Sequence, residues 1–206
     1  MTTVFVPAAR VARWVANFSE GHGSAELSVC DGQLRGLAPD GSTFTGALPF
    51  ATAYAGAPDA DAFAESTAIP AQWGVLLVRK GGFAVARLEG DRIVESKVGQ
   101  RHVQGRTKAG GQSQQRFARR RDNQARQAYE AAAGHAARIL EGLGRTAPIV
   151  VGGDRPAVDA VLEDVRLKGL AQRVVGPWLP VPDPRRAVLE GAVRDACSVR
   201  VEVVNA

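Results

Sequence analysis

A chain of 206 residues with 45% hydrophobic content can bury a proper core, and its length predicts one domain with an appendage or two small domains. No apolar run approaches the roughly 20 residues that cross a bilayer, and MTTVFVPAARVARW lacks the charged, apolar and small-residue order of a signal peptide. The expected location is therefore the cytoplasm, with no membrane partner. Twenty-six Lys+Arg stand against 21 Asp+Glu, but residues 101–126 hold eight of those bases and a single acid, leaving 18 against 20 elsewhere. Charge concentrated in this way is the footprint of an anionic partner, and nucleic acid fits it.

In chain order, Val11, Trp14, Val15 and Phe18 follow helical spacing after Pro7, and Gly21-His22-Gly23 ends the run. Three short strands are predicted next in AELSVC, GQLRGLA and STFTGAL, separated by Asp31-Gly32 and Asp40-Gly41, pairs that hairpin turns prefer. Residues 51–71, Ala-rich with Pro58 and Pro70, read as a linker with a little helix. GVLLVRK, GFAVARLEG and DRIVESKVG then predict an antiparallel meander turning at Lys80-Gly81-Gly82 and Gly90-Asp91. A long loop follows.

From Gln114 the pattern is helical. Ala125, Ala128, Tyr129, Ala132, Ala136, Ile139, Leu140 and Leu143 recur at three and four, while Arg116, Arg119, Asn123, Arg126 and Glu130 take the other face. APIVVGG predicts a buried strand, PAVDAVLEDVRLKGL a helix, RVVGPWLP a strand, DPRRAVLEGAVRDAC a last helix and VRVEVV a last strand. Alternation of strand and helix predicts parallel pairing added to the meander, hence an α/β chain with an α+β mixed sheet flanked by helices. Residues 1–70 are expected to form a small N-terminal helix-plus-strands extension with its linker, and residues 71–206 the main domain.

The functional signal lies between Lys97 and Arg126. Gly110 and Gly111 have no Cβ, so the backbone can reach positive φ and another molecule can approach it closely. Gln112, Gln114 and Gln115 add uncharged donors and acceptors. Around them stand Arg101, Arg106, Lys108, Arg116, Arg119, Arg120, Arg121 and Arg126, the composition of a surface that lies among phosphates. Short of any resemblance, the same residues also describe a flexible turn before a helix, with Ser113 as its N-cap. Other constellations are weak. His22, His102 and His135 are isolated, there is no GxSxG, HExxH or Walker sequence, and Glu89, Asp91, Glu95, Asp154 and Asp159 have the spacing of ordinary exposed acids. Cys30 and Cys197 are far apart and without CxxC spacing, so buried thiols are expected rather than a disulfide or zinc. No metal or cofactor is called for.

Three strands, a basic loop, GGQS and then RFARRR opening a long helix resemble the central catalytic domain of archaeal and eukaryotic peptide-chain release factors, over roughly residues 72–200. The likeness is densest in GGQSQQRFARRRDN. Within that superfamily the chain is most similar to the Vms-like release factors, peptidyl-tRNA hydrolases that free nascent chains from stalled ribosomes. It is too short to hold both a codon-reading and a partner-binding domain, and Gly111-Gln112-Ser113-Gln114 supplies the Gly-x-x-Gln arrangement of that branch beside the plain Gly110-Gly111-Gln112. Both registers are satisfied, so Gln112 and Gln114 are both candidates for the catalytic glutamine.

The resemblance implies a ribonuclease H-like topology, a GGQ loop at 98–114, and a monomer that acts on peptidyl-tRNA in the peptidyl-transferase centre of the large ribosomal subunit without a cofactor. Ester hydrolysis needs an aligned water and a stabilised oxyanion, not a Ser or Cys nucleophile, and a backbone N–H beside a neutral amide supplies both. Two further activities fit the same fold: cleavage of tRNA near its 3′ end, and RNA binding without catalysis.

Overall fold

The computed structural model describes residues 1–100 and 112–206, and for residues 112–125 the helical backbone alone. In chain order the elements are β1 (Thr2–Val6), α1 (Val11–His22), β2 (Glu26–Cys30), β3 (Gln33–Leu37), β4 (Thr43–Ala47), α2 (Ala60–Glu65), β5 (Gln72–Arg79), β6 (Gly82–Glu89), β7 (Arg92–Gln100), α3 (Gln112–Leu140), β8 (Ile149–Gly153), α4 (Arg155–Leu162), α5 (Lys168–Ala171), β9 (Val174–Leu179), α6 (Arg186–Ala196) and β10 (Val199–Val204). The fold is mixed α/β, with two five-stranded sheets. The chain divides into two compact units, Met1–Ile69 with Val193–Ala206, and Pro70–Ala192.

The first unit is an antiparallel sheet ordered β1-β10-β4-β3-β2. Its core joins Val11, Val15 and Phe18 of α1 and Phe63 of α2 to Leu34, Phe44, Val199 and Val201. The hairpin turn at Asp31-Gly32 takes the expected positive φ at both residues. Residues 51–71 hold the little helix expected there, α2, but part of the stretch is packed core rather than linker. Asp59 caps α2 by accepting from the Ala62 N–H at 2.8 Å, and Tyr54, Ala60 and Phe63 are buried. Cys30 is exposed rather than buried, and Cys197 is half-buried.

The C-terminal strand also departs from expectation. β10 pairs antiparallel with β1 and β4 and so belongs with the N-terminal unit, not with the sheet begun by the meander. Its pattern explains why. Val199 and Val201 are buried while Arg200 and Glu202 are not, the alternation of an antiparallel sheet with one wet face. In β8, by contrast, Ile149, Val150, Val151 and Gly152 are all buried, as a central parallel strand requires.

The second unit has the order β7-β6-β5-β8-β9, with β5-β6-β7 the expected meander and β8 and β9 added parallel. Numbered within the unit, this is the order 3-2-1-4-5 of the ribonuclease H-like topology that the resemblance implies. α3 packs on β6 and β5, and Ala132, Ala136, Ile139 and Leu140 are buried with Leu76, Val78, Val85 and Ile149. The helix expected over 156–170 is broken instead. The Asp164 carboxylate accepts from the Arg166 N–H at 3.0 Å and starts a new turn at Val165.

Gly153 closes β8 with φ +100°, and a Cβ there would collide with the Val78 carbonyl oxygen. The close approach sets the strand end from which Asp154 leads into α4. Gly153→Ala should therefore lower the unfolding free energy by about 1–3 kcal/mol in urea titrations, from backbone strain at positive φ alone. An unchanged midpoint would contradict this account of the β8–α4 turn.

Candidate functional site

The site is framed by the end of β7 and the start of α3. Past a register shift at Arg87/Leu88, β7 stays paired with β6 to its last residue, with Val98 opposite Ala84, Gly99 opposite Phe83 and Gln100 opposite Gly82. The expected loop boundary at 98 is thus too early, because residues 98–100 are strand. α3 begins at Gln112, two residues before the expected start at Gln114, so Ser113 lies inside the helix and is not its N-cap. Eleven residues, 101–111, connect the two elements.

Of the residues singled out from the sequence, Arg101, Arg106, Lys108, Gly110 and Gly111 lie outside the described residues, as does His102. Gln112, Gln114, Arg116, Arg119, Arg120 and Arg121 are placed on the first turns of α3 by backbone alone. Arg126 is exposed on the same helix. Ala128 is the first described core side chain of α3, about 24 Å along the axis from Gln112 at ~1.5 Å per residue.

A cavity of about 660 Å³ opens between the end of the hairpin and this helix, lined by Gly82, Phe83, Gly99, Gln100, Gln127 and Glu130 among others. None of these was singled out from the sequence as a site residue. Gly99 is the readable one, because a Cβ there would collide with the Phe83 ring, so the ring occupies the room that a side chain at 99 would need. Among the described residues the lining offers two neutral amides and the Glu130 carboxylate beside one ring, and no Ser, Thr, Cys, Lys or His.

Of the five acids weighed in the sequence, Glu89, Glu95 and Asp154 are held in ion pairs. Glu95 accepts from Arg138 of α3 at 2.6 Å and stands 3.9 Å from Arg87, which ties β7 to the helix. Glu89 pairs with Arg92 at 2.6 Å. At the ends of β5 and β8, Arg79 lies between Asp154 at 3.3 Å and Asp183 at 3.8 Å and donates to the Val181 carbonyl at 3.0 Å. Among the described residues, no three His, Cys, Asp or Glu side chains come together as a metal site. The Tyr129 phenol is pushed up from its ordinary pKa by burial and then by the charge of Asp154, so it stays neutral.

A family model described as Actinobacteria/chloroflexi VLRF1 release factor matches residues 71–202. The chain belongs to this family. The VLRF1 match spans the meander, the basic segment and the helix that follows it, and it makes the chain a release-factor-type translation protein. No curated protein matches the chain. Among solved structures, an archaeal translation termination factor, aRF1, is similar at 15% identity and a TM-score of 0.40, covering 78% of this chain and 48% of its own. A structure described as an archaeal protein is similar at 13% identity and a TM-score of 0.37, covering 94% of this chain and 65% of its own. The chain thus spans about half the length of the first and about two thirds of the second. No described helix is long and apolar enough to cross a membrane.

His135 links the helix to the cavity wall, with its ring stacked on Phe83 at 5.5 Å. Burial, then the charges of Lys97 and Arg138, hold its pKa below the ordinary 6.5. As pH falls through 6.5 the unfolded chain takes up a proton that the folded chain refuses, so stability is lost until the lower folded pKa is reached, and is unaffected above 6.5. Denaturant titrations from pH 7 to pH 5 should show a smaller loss of stability in His135→Gln than in wild type. Identical pH profiles would mean that the stacked ring titrates as in solvent.

Proposed function

We propose that the protein is a peptidyl-tRNA hydrolase that releases nascent chains from stalled ribosomes or large subunits, by inserting the GGQSQ segment into the peptidyl-transferase centre. The observation that carries this reading is that α3 opens on the motif itself, at Gln112, in a chain of the VLRF1 release factor family. The first backbone N–H groups of a helix have no intrahelical acceptor, and the positive end of the helix dipole favours negative charge. A developing oxyanion on the ester carbonyl is stabilised by such donors.

In this mechanism water attacks the ester carbon, the peptide leaves as a carboxylate, and the tRNA keeps its terminal hydroxyl. Gln112 or Gln114 aligns the water with its amide, which stays neutral among ribosomal RNA phosphates where a carboxylate would be repelled. Gly110 and Gly111 let the backbone pass close to the substrate. Arg101, Arg106, Lys108, Arg116, Arg119, Arg120, Arg121 and Arg126 hold the segment in place through phosphates without reading sequence. The reaction needs no cofactor, and it assigns the chemistry to the domain that begins near residue 71 of a cytoplasmic monomer.

Catalysis and binding separate by mutation. Gln112→Ala, Gln114→Ala and the double variant should bind large subunits carrying peptidyl-tRNA almost as wild type does. At least one of the single variants and the double variant should slow single-turnover release by about 100-fold or more, the loss typical of one oxyanion or positioning group. Full activity in the double variant would remove the glutamine mechanism. Reversal of Arg119, Arg120 and Arg121 to Glu should weaken binding and lower the slope of log K against log salt by about 0.7–0.9 for each phosphate no longer neutralised, with folding intact by circular dichroism. Unchanged affinity and slope would make these arginines a merely solvated face.

A further inference from the structure

A second cationic site lies at the other end of α3. There a groove of about 730 Å³ runs between the last turns of the helix and the α4–β9 connection, and its lining includes Arg138, Arg145, Arg166 and Arg173 against one carboxylate, Glu141. Leu140, Leu143 and Leu170 also line it, so the guanidinium groups stand over apolar surface.

Three of these four arginines are held rather than loose. The Asp164 carboxylate accepts from Arg166 Nε at 2.8 Å and from Arg166 Nη2 at 2.7 Å, and that pairing pulls the Asp164 pKa down to about 2. Nη1 of Arg166 remains, facing Gly134 of α3, where a Cβ would lie 3.7 Å away. Arg173 Nη1 donates to the Gly144 carbonyl at 2.5 Å, a neutral acceptor that leaves its charge uncompensated. Arg138 is tied to Glu95. Arg145 is exposed and makes no ion pair among the described residues. Planar forks fixed in this way lose little freedom on meeting a phosphate.

The floor carries a second sign. Gly134 sits within a 29-residue helix, where glycine costs about 1 kcal/mol relative to alanine, yet the distance to Arg166 leaves room for an alanine. Packing does not demand the glycine, and its effect is to keep the groove open beneath Arg166. Among the described residues the lining has no aromatic ring and no Asn or Gln, so it offers neither a ring platform for a base nor an amide to read one. The chemistry is that of a sugar–phosphate backbone contact, independent of sequence.

We propose that this groove seats a phosphodiester backbone of large-subunit ribosomal RNA, as a second anchor about 39 Å along α3 from Gln112. The choice of ribosomal RNA rests on the ribosomal reading above. The binding chemistry does not.

The test is binding to vacant large subunits, which carry no peptidyl-tRNA, and in parallel to deacylated tRNA, over a series of salt concentrations. Arg145→Gln alters an exposed side chain only. Arg145→Gln with Arg166→Gln removes two charges, and Gly134→Leu fills the groove without changing charge. The expected result is weaker binding to vacant subunits in all three, with the salt slope lower by about 0.7–0.9 for each arginine removed, and little change for tRNA. Unchanged affinity and slope for vacant subunits would overturn the proposal. So would an effect confined to tRNA, or equal competition by polyglutamate, which would make the occupant an acidic protein. An arginine-dependent slope without any peptide release would uphold the groove and remove the hydrolase reading, whereas intact release with an unchanged slope would do the reverse.

Discussion

The alanine-rich face of α3 against β6 and β5 is the packing on which the arrangement of the second unit depends. Ala128, Ala132, Ala133 and Ala136 are buried there with Ile139 and Leu140, and such small side chains let a helix lie close to the sheet. The larger residues come late, so the firmest hold is on the C-terminal turns. Truncating the Ile139 side chain to alanine would cost about 2–5 kcal/mol. A helix gripped at that end extends its N-terminal turns, and with them Gln112 and Gln114, along a direction that the core has already set. The Arg138–Glu95 pair ties the same helix to β7, the strand from which the connecting segment leaves.

Much of this was legible in the sequence, and for identifiable reasons. The meander was readable because its turns carry Gly81-Gly82 and Gly90 between runs of apolar and β-branched residues. α3 was readable because its spacing is long and regular. The motif was readable because Gly-Gly-Gln is flanked by a hairpin on one side and arginines on the other, and the family match covers that region. What escaped depends on partners distant in the chain. VRVEVV says strand, but only its alternation of buried and exposed residues separates an antiparallel place beside β1 and β4 from a parallel one beside β8. β1 itself, TTVFV, lies where targeting signals are sought and is absent from the predicted elements. Tyr54, Ala60 and Phe63 are spread through an Ala- and Pro-rich stretch whose composition hides a core contribution, and the break at Asp164 comes from one side chain that caps a new turn.

The candidate site was legible in part only. Its residues on the basic segment follow from composition and motif, whereas Phe83, Gly99, Gln100 and Gln127 meet only when β7 and α3 converge. The four arginines of the second groove are scattered from 138 to 173, each alone in its neighbourhood, and no window of sequence gathers them. Even the nearest members of the two cationic regions, Arg126 and Arg138, are about 18 Å apart along α3, roughly twice the Debye length of about 8 Å at physiological ionic strength. They therefore act on an anionic partner as independent anchors, each with its own salt dependence, rather than as one diffuse field.

The central claim is that the ester, and not the RNA chain, is cut. The most direct measurement is single-turnover release from large subunits carrying peptidyl-tRNA, with both products analysed by mass: the freed peptide and the tRNA 3′ end. The account predicts a peptide ending in a free carboxylate and a full-length tRNA that can be aminoacylated again. A peptide still bearing nucleotides, together with a shortened tRNA, would contradict it.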